Sequence, residues 1–261
     1  RAVELPDPPW LRCFGLLGFP LRVLSLRAWL QRHQPDLVLG MTTLPAIKLL
    51  LAVRGAACPC IVSERNFPPL KQPGWPWRLL RRLTYPSAQL HLVQTKATGQ
   101  WLDQHLNARP QLCLPNPAAW PLPRFAPDPD PTEWLARQSV GSDQQVLLAV
   151  GTKAHQKGFD RLVAMFALLR KRHHQAHLVI LGMDSVPYHG VDQPAQLRRM
   201  LPQALHSLHF PGRVGNVQDW YERAELFLLP SRYEGFPNVL LEAMASGCCC
   251  VSSDCPQGPA E

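Results

Sequence analysis

Short apolar runs of strand length alternate with helix-length amphipathic stretches along nearly the whole chain, and that alternation limits the folds open to it more than any single residue does. Residues 21–33 predict a helix with Leu21, Leu24, Trp29 and Leu30 toward a core and Arg22, Arg27 and Arg32 toward water. A strand at 36–40, a helix at 44–54, a strand at 60–63, a helix at 75–83, a strand at 90–94, a helix at 96–106 and a strand at 111–114 follow. Past residue 143 the pattern resumes with strand 145–150, polar loop 151–160, helix 161–172, strand 178–181, helix 193–206, strand 208–210, helix 217–223 and strand 224–229. Repeated β-α-β units of this kind predict parallel sheets covered by helices on both faces. The opening stretch to Pro20 is proline-rich and aromatic without a period, and no element is assigned to it.

Between the two alternating regions lies a proline-rich stretch from Leu114 to Pro131 with few aliphatic residues, which predicts an extended connection. The expected organisation is a partial N-terminal Rossmann-like domain at 1–117, a connection at 118–143 and a partial C-terminal Rossmann-like domain at 144–261. Charge divides unevenly along the same line. Residues 1–125 carry 15 Lys/Arg against 5 Asp/Glu, and 126–261 carry 12 against 14. A basic first half suits an anionic membrane surface or a phosphorylated partner. Its arginines lack the glycine-rich, stacking or zinc-finger patterns of nucleic-acid binders, so no nucleic acid is expected. The eight cysteines show no paired C-x2-C spacing, which argues against zinc, and Cys248 to Cys250 are expected on a buried strand as reduced core residues. His173, His174 and His177 are assigned no chemistry. No run approaches eighteen apolar residues, so no membrane-spanning helix is expected.

The stretch 230–247, P-S-R-Y-E-G-F-P-N-V-L-L-E-A-M-A-S-G, predicts strand end, tight loop and helix. Gly235 offers a positive φ to the turn, Pro237 suits the first helical position, and Gly247 suits the residue past the helix end. The first helical turn leaves backbone N–H groups around Gly235, Phe236, Asn238 and Val239 to hold an anion. Glu234 and Glu242 flank that site, and carboxylates beside a phosphate make sense if they accept hydrogen bonds from sugar and ribose hydroxyls. Upstream, Lys157 and Gly158 sit in a polar loop where a strand hands over to a helix, at the carboxyl edge of a parallel sheet, where ligands of such sheets bind.

E-G-F-P-N-V-L-L-E resembles the donor loop of retaining glycosyltransferases of family 4, with two glutamates at the family's spacing. The resemblance extends to Phe210–Trp220 upstream and to D-C-P-Q-G-P-A-E at 254–261. It implies a GT-B-like α/β fold, two Rossmann-like doubly wound domains facing a cleft, both expected to be incomplete here. It implies transfer of a sugar, with retention, from a nucleoside diphosphate sugar to an acceptor hydroxyl in cell-surface polysaccharide or lipopolysaccharide assembly. By the same resemblance Glu234 and Lys157 are the catalytic candidates. Donor binding falls to Gly151, Lys153, Lys157, Arg213, Glu234, Gly235, Phe236, Pro237, Asn238, Val239 and Glu242, with Lys157 on the diphosphate, Glu234 on the sugar, Glu242 on the ribose and Arg213 beside the base. Where the family carries an arginine after its first glycine this chain has Thr152, followed by Lys153, and a point charge does not reproduce a bidentate guanidinium. Asn116 matches the family's interdomain turn. Glu64, Arg65 and Asn66 occupy the loop that faces the donor, where many members have a histidine, and are the acceptor-side candidates. No metal and no cofactor is expected. The partners implied are the nucleotide-sugar donor and a glycan or lipid-linked acceptor. A nucleotide-sugar epimerase of the same fold and a noncatalytic nucleotide-sugar-binding module are the alternatives.

Trp75, Trp77, Arg78, Arg81 and Arg82 crowd one short helix, a composition that suits either a bilayer interface or a surface helix with its tryptophans packed inward. The protein is expected in the cytoplasm, and the first reading adds peripheral attachment to the inner face of the cytoplasmic membrane.

Overall fold

The computed structural model describes residues 18–183 and 190–261. The unassigned opening residues 1–17, with Cys13, lie outside them. The chain divides into two compact units, Arg1–Pro115 and Asn116–Glu261.

In the first unit, helix α1 (Gly18–His33) leads into β1 (Val38–Met41), α2 (Thr43–Ala52), β2 (Cys60–Glu64), α3 (Trp75–Thr84), β3 (Leu90–Val93), α4 (Lys96–Leu106) and β4 (Gln111–Cys113). The four strands are parallel and lie in chain order. Right-handed crossovers between strands in sequential order put every helix on the same face. A single core cluster follows, joining Leu26 and Leu30 of α1 to Ile47 and Leu50 of α2, Val62 of β2 and Leu102 of α4. Among the described residues of this unit the expected cover on both faces is not found: Leu39, Met41 and Leu112 stay exposed. In the helix at 18–33, Leu30 is buried and Trp29 packs on the core as expected, but the N-terminal half of the predicted stripe is not buried. Leu26 and Leu30 are buried, whereas Leu21 and Leu24 face solvent.

Helix α3 corrects a second expectation. Arg81 is buried and bonds Glu64 at 2.8 Å, and its guanidinium stacks over Tyr85 and Trp101. Trp77 turns inward onto Phe19, with ring centroids 4.8 Å apart at 81°. Neither residue is placed to touch a bilayer.

The second unit contains α5 (Pro131–Ala136), β5 (Gln145–Val150), α6 (Ala154–Lys157), α7 (Phe159–Leu169), β6 (Ala176–Leu181), α8 (Gln193–Arg199), β7 (Leu208–Gly212), α9 (Val217–Arg223), β8 (Leu226–Leu229), α10 (Asn238–Ala245) and β9 (Cys250–Ser252). Its five parallel strands run β7-β6-β5-β8-β9. Alternate residues of each strand enter two separate cores: Leu147, Leu178, Ile180 and Leu228 on one face, Leu148, Val179, Leu181, Phe227 and Leu229 on the other. This sheet is doubly wound, and strand order reverses between β5 and β8, which pair directly. The crevice beyond the carboxyl ends of two such strands is where open α/β sheets bind ligands.

Three local expectations need correction here. The helix expected at 193–206 stops at Arg199 and gives way to a 3-10 turn at Pro202–Ser207, because Pro202 has no N–H to continue the ladder. Strand β9 lies at the sheet edge, so Cys249 is exposed and Cys248 and Cys250 are half-buried; only Cys60 and Cys255 among the described cysteines are buried. The residues expected as a connection, 118–143, are part of the second unit. Phe125 N–H donates to Gly215 O and Gly215 N–H to Pro127 O, while the Asn216 amide reaches Pro129 O and Arg124 pairs with Asp219. Proline carbonyls still accept, so a segment short of donors is held as an extended ribbon by donors from the 215–219 turn.

Candidate functional site

Strands β5 and β8 each release a loop at the switch point, and the two loops are clamped together. Arg232 makes a bidentate pair with Asp160, at 2.7 and 2.6 Å, and donates also to His155 O at 2.7 Å. That contact holds the Asp160 carboxyl below its usual range. Arg232 N–H meets Gln156 O, and Gly158 packs so closely under Pro230 that a Cβ there would lie 2.1 Å from Pro230 O. Gly158 also has φ +68°, a backbone region where L side chains are strained. One glycine thus satisfies two demands at once.

This clamp sets Lys157 against Glu234. Lys157 is the last residue of the short helix α6, not a loop residue, and its side chain lies across Gly151, where a Cβ would be 2.7 Å from Lys157 Cγ. Its Nζ is 2.8 Å from Glu234 Oε1. Ser231 Oγ donates to the same carboxylate oxygen, and both Ser231 and Glu234 are buried. Glu234 is held from one side and keeps Oε2 for another donor.

Glu242 lies on α10, half-buried, with the Tyr221 hydroxyl donating to its Oε2 at 3.3 Å and to Val239 O at 3.2 Å. Burial raises the Glu242 carboxyl above its ordinary range; the Tyr221 hydrogen bond and Lys157 act the other way. Desolvation and the neighbouring carboxylate keep the Tyr221 phenol protonated.

The loop before α10 differs in detail from the sequence reading. Gly235 does not adopt positive φ. Pro237 caps the helix instead of opening it, with φ −84° and ψ 75°, and Gly247 does follow the helix end at φ +72°. Asn238 N–H is already spent on Phe236 O, whereas the N–H groups of Gly235 and Phe236 meet no acceptor among the described residues. Asn238 Oδ1 accepts from Asn116 at 2.7 Å. The C-terminal turn packs beneath this loop, with Gly258 at φ +94° against Pro237. Lys153 caps α6 half-buried and pairs with no carboxylate among the described residues. Arg213 follows β7 at the same carboxyl edge.

Of the acceptor-side candidates, Glu64 is not in a loop. It ends β2, buried, and its carboxylate takes Arg81, the Tyr85 hydroxyl at 3.0 Å and Thr43 Oγ1 at 3.2 Å. Those bonds occupy it as a framework anion. Arg65 and Asn66 follow it half-buried; Asn66 accepts from Lys71 at 2.8 Å and Arg65 forms no salt bridge among the described residues. Sequence reasoning missed the Ser231 hydroxyl and the Arg232–Asp160 clamp. It also missed a buried imidazole pair, His177 and His209, 3.0 Å apart. Both are pushed down to about 4, first by burial and then by nearby cationic groups.

The parallel-sheet α/β architecture is that of the GT-B glycosyltransferases. The structure of Anabaena HepE in complex with UDP superposes with a TM-score of 0.75 at 17% identity, over 90% of this chain and 64% of that one. Residues 144–261 match the family described as glycosyl transferases group 1. The lipopolysaccharide core biosynthesis mannosyltransferase LpsB of Rhizobium meliloti is 34% identical over 134 residues, 50% of this chain and 37% of that protein. The GalNAc-alpha-(1->4)-GalNAc-alpha-(1->3)-diNAcBac-PP-undecaprenol alpha-1,4-N-acetyl-D-galactosaminyltransferase of Campylobacter jejuni is 25% identical over 236 residues, 89% of this chain and 59% of that protein. The chain therefore spans less than two thirds of the length of these relatives.

Proposed function

We propose that this chain acts in a retaining glycosyltransferase that moves a sugar from a nucleoside diphosphate sugar to an acceptor hydroxyl during surface polysaccharide or lipopolysaccharide assembly. The observation that carries this reading is the Lys157–Glu234 pair at the strand switch point, beside the two open N–H groups of Gly235 and Phe236. The match of residues 144–261 to group 1 glycosyl transferases and the relatives above support it.

Breaking a glycosidic phosphoester builds charge on the leaving diphosphate, and donors fixed before the reaction stabilise that charge best. Lys157 and the Gly235 and Phe236 N–H groups are such donors, and in this reading they act without a metal ion. When the donor arrives, its diphosphate draws the Lys157 ammonium away from Glu234. The freed carboxylate, still held by Ser231, accepts hydroxyls of the transferred sugar. Glu242, steadied by Tyr221, accepts ribose hydroxyls. Arg213 lies beside the base, and Arg65 with Asn66 serves the glycan or lipid-linked acceptor.

The test is incubation with UDP- and GDP-sugars and a glycan acceptor, with the anomeric configuration of the product read by proton NMR. Transfer with retention is expected, and Glu234→Gln abolishes it. An inverted product would overturn the retaining mechanism. Epimerised nucleotide sugar formed without acceptor would replace transfer by isomerisation. Thr152, exposed where the resembling family has an arginine, favours one other reading, a nucleotide-sugar-binding module, which binding without turnover of any kind would select.

A further inference from the structure

The amino edge of the second sheet holds a cavity of its own. It encloses about 520 Å³ between the turn after α5, the end of α8 and the start of β7. The switch point lies at the carboxyl edge, at least a strand's length away, roughly 17 Å for the six residues of β6. Arg137, Arg198 and His206 line the cavity together with Trp134, His209 and Phe210, and no carboxylate among the described residues does. Residues 126–261 carry 14 Asp/Glu against 12 Lys/Arg, so a lining whose only charged side chains are cationic departs from its background.

The arginine charges are positioned here without being neutralised. The Arg198 guanidinium lies over the Phe210 ring, 4.9 Å from its centroid, and forms no salt bridge among the described residues. Arg137 shares only a solvent-exposed contact of 3.5 Å with Glu133, one turn earlier, and pairs of that kind contribute little. Arg170 Nη2 donates to His206 Nε2 at 3.5 Å, which leaves the neutral His206 ring its proton on Nδ1. Behind them His209, 5% exposed, spends Nε2 on His177 and has no partner for Nδ1 among the described residues. When His177 donates in that pair, His209 Nδ1 keeps a proton and is a further donor. A buried polar atom left without a partner in a cavity wall calls for a ligand.

Guanidinium groups match the oxygens of a phosphate, and two uncompensated arginines suit a dianion better than a carboxylate. The volume is that of a small-molecule site, and Trp134 and Phe210 give the organic part of a ligand an aromatic wall. We propose that this cavity is a second binding site, which takes a small phosphate monoester through Arg137, Arg198 and His206. The assignment stands apart from the glycosyl-transfer reading, because it uses no residue of the switch-point site.

The test is calorimetric titration of the 261-residue chain with phenyl phosphate, with inorganic phosphate and benzoate as comparisons, in the absence of nucleotide. Binding of phenyl phosphate is expected, with both comparison ligands weaker. Arg137→Gln combined with Arg198→Gln lowers that affinity at least about tenfold, and Lys157→Ala leaves it unchanged. Both arginines are exposed, so circular dichroism and the unfolding transition of the double variant stay as in the parent. The imidazole NMR signals of His206 and His209 shift during the titration. No binding by the parent overturns the proposal, as do unshifted histidine signals, equal binding by the double arginine variant, or binding lost in Lys157→Ala instead. Benzoate bound as tightly overturns the choice of phosphate, and inorganic phosphate bound as tightly overturns the choice of an ester. Since no nucleotide is present, failure of the donor reading leaves these outcomes unchanged.

Discussion

Lys157 Nζ and Glu234 Oε1 stand 2.8 Å apart although 77 residues separate them, because the strands that precede their loops are neighbours at the reversal of strand order. Their side chains are 14% and 5% exposed. Removing one partner of a buried ion pair strands the other charge at a cost of about 3–5 kcal/mol. The residual exposure of Lys157 reduces that to roughly 2 kcal/mol here. Lys157→Met is therefore expected to lower stability in urea, and Lys157→Met with Glu234→Gln to recover most of the loss. Additive losses in the double variant would show that the two groups are not coupled.

Gly158 and Gly247 separate strain from space. Both have positive φ, but a Cβ at Gly158 strikes Pro230 O whereas one at Gly247 meets nothing within 4 Å. Gly247→Ala is expected to cost only the left-handed penalty of about 1–2 kcal/mol. Gly158→Ala is expected to cost more and to weaken nucleotide binding as well, since the two loops separate. Thermal unfolding of both variants decides it, and equal losses would refute the close approach.

The Glu64–Arg81 pair is more deeply buried than the pair at the switch point, with side chains 1% and 3% exposed. Glu64→Ala is expected to destabilise the first unit by about 3 kcal/mol or more, since the Arg81 charge remains inside. Its unfolding transition should move to lower urea while that of the second unit stays. An unchanged first transition would place the carboxylate in solvent.

The His177–His209 pair predicts an acid-sensitive second unit. Both imidazoles are depressed to about 4 from an ordinary value of 6.5. Below 6.5 the unfolded chain binds more protons than the folded one, so stability falls as pH drops and levels off below about 4. Each unit of depression is worth about 1.4 kcal/mol, so the loss for the pair amounts to several kcal/mol. His209→Leu should flatten the stability profile between pH 6.5 and 4, measured by urea unfolding. An equally steep profile in that variant would remove the pair as its cause.

Periodicity was enough to find most of the elements, and β5 and α9 fall at their expected bounds. The helix at 238–245 was legible because Pro237 and Gly247 bracket it, although Gly235 does not take the positive φ expected of it. What periodicity cannot supply is which face of an element is buried. Leu21 and Leu24 look like core residues as much as Leu30 does, yet α1 packs through Leu26 and Leu30, a choice made by α2. Arg81 reads as a surface arginine because sequence spacing carries no sign of Glu64, 17 positions earlier on another element. The proline stretch reads as a connection because its bonds run to residues 215–219 through carbonyls that no sequence pattern marks.

A nucleoside diphosphate is expected to bind at the switch point between Lys157 and α10. Calorimetric titration with UDP and GDP, repeated for Lys157→Ala and Glu242→Ala, tests it most directly. Binding of one nucleotide that weakens in both variants is the predicted result. Absence of binding by either nucleotide, or binding unchanged in both variants, would contradict it.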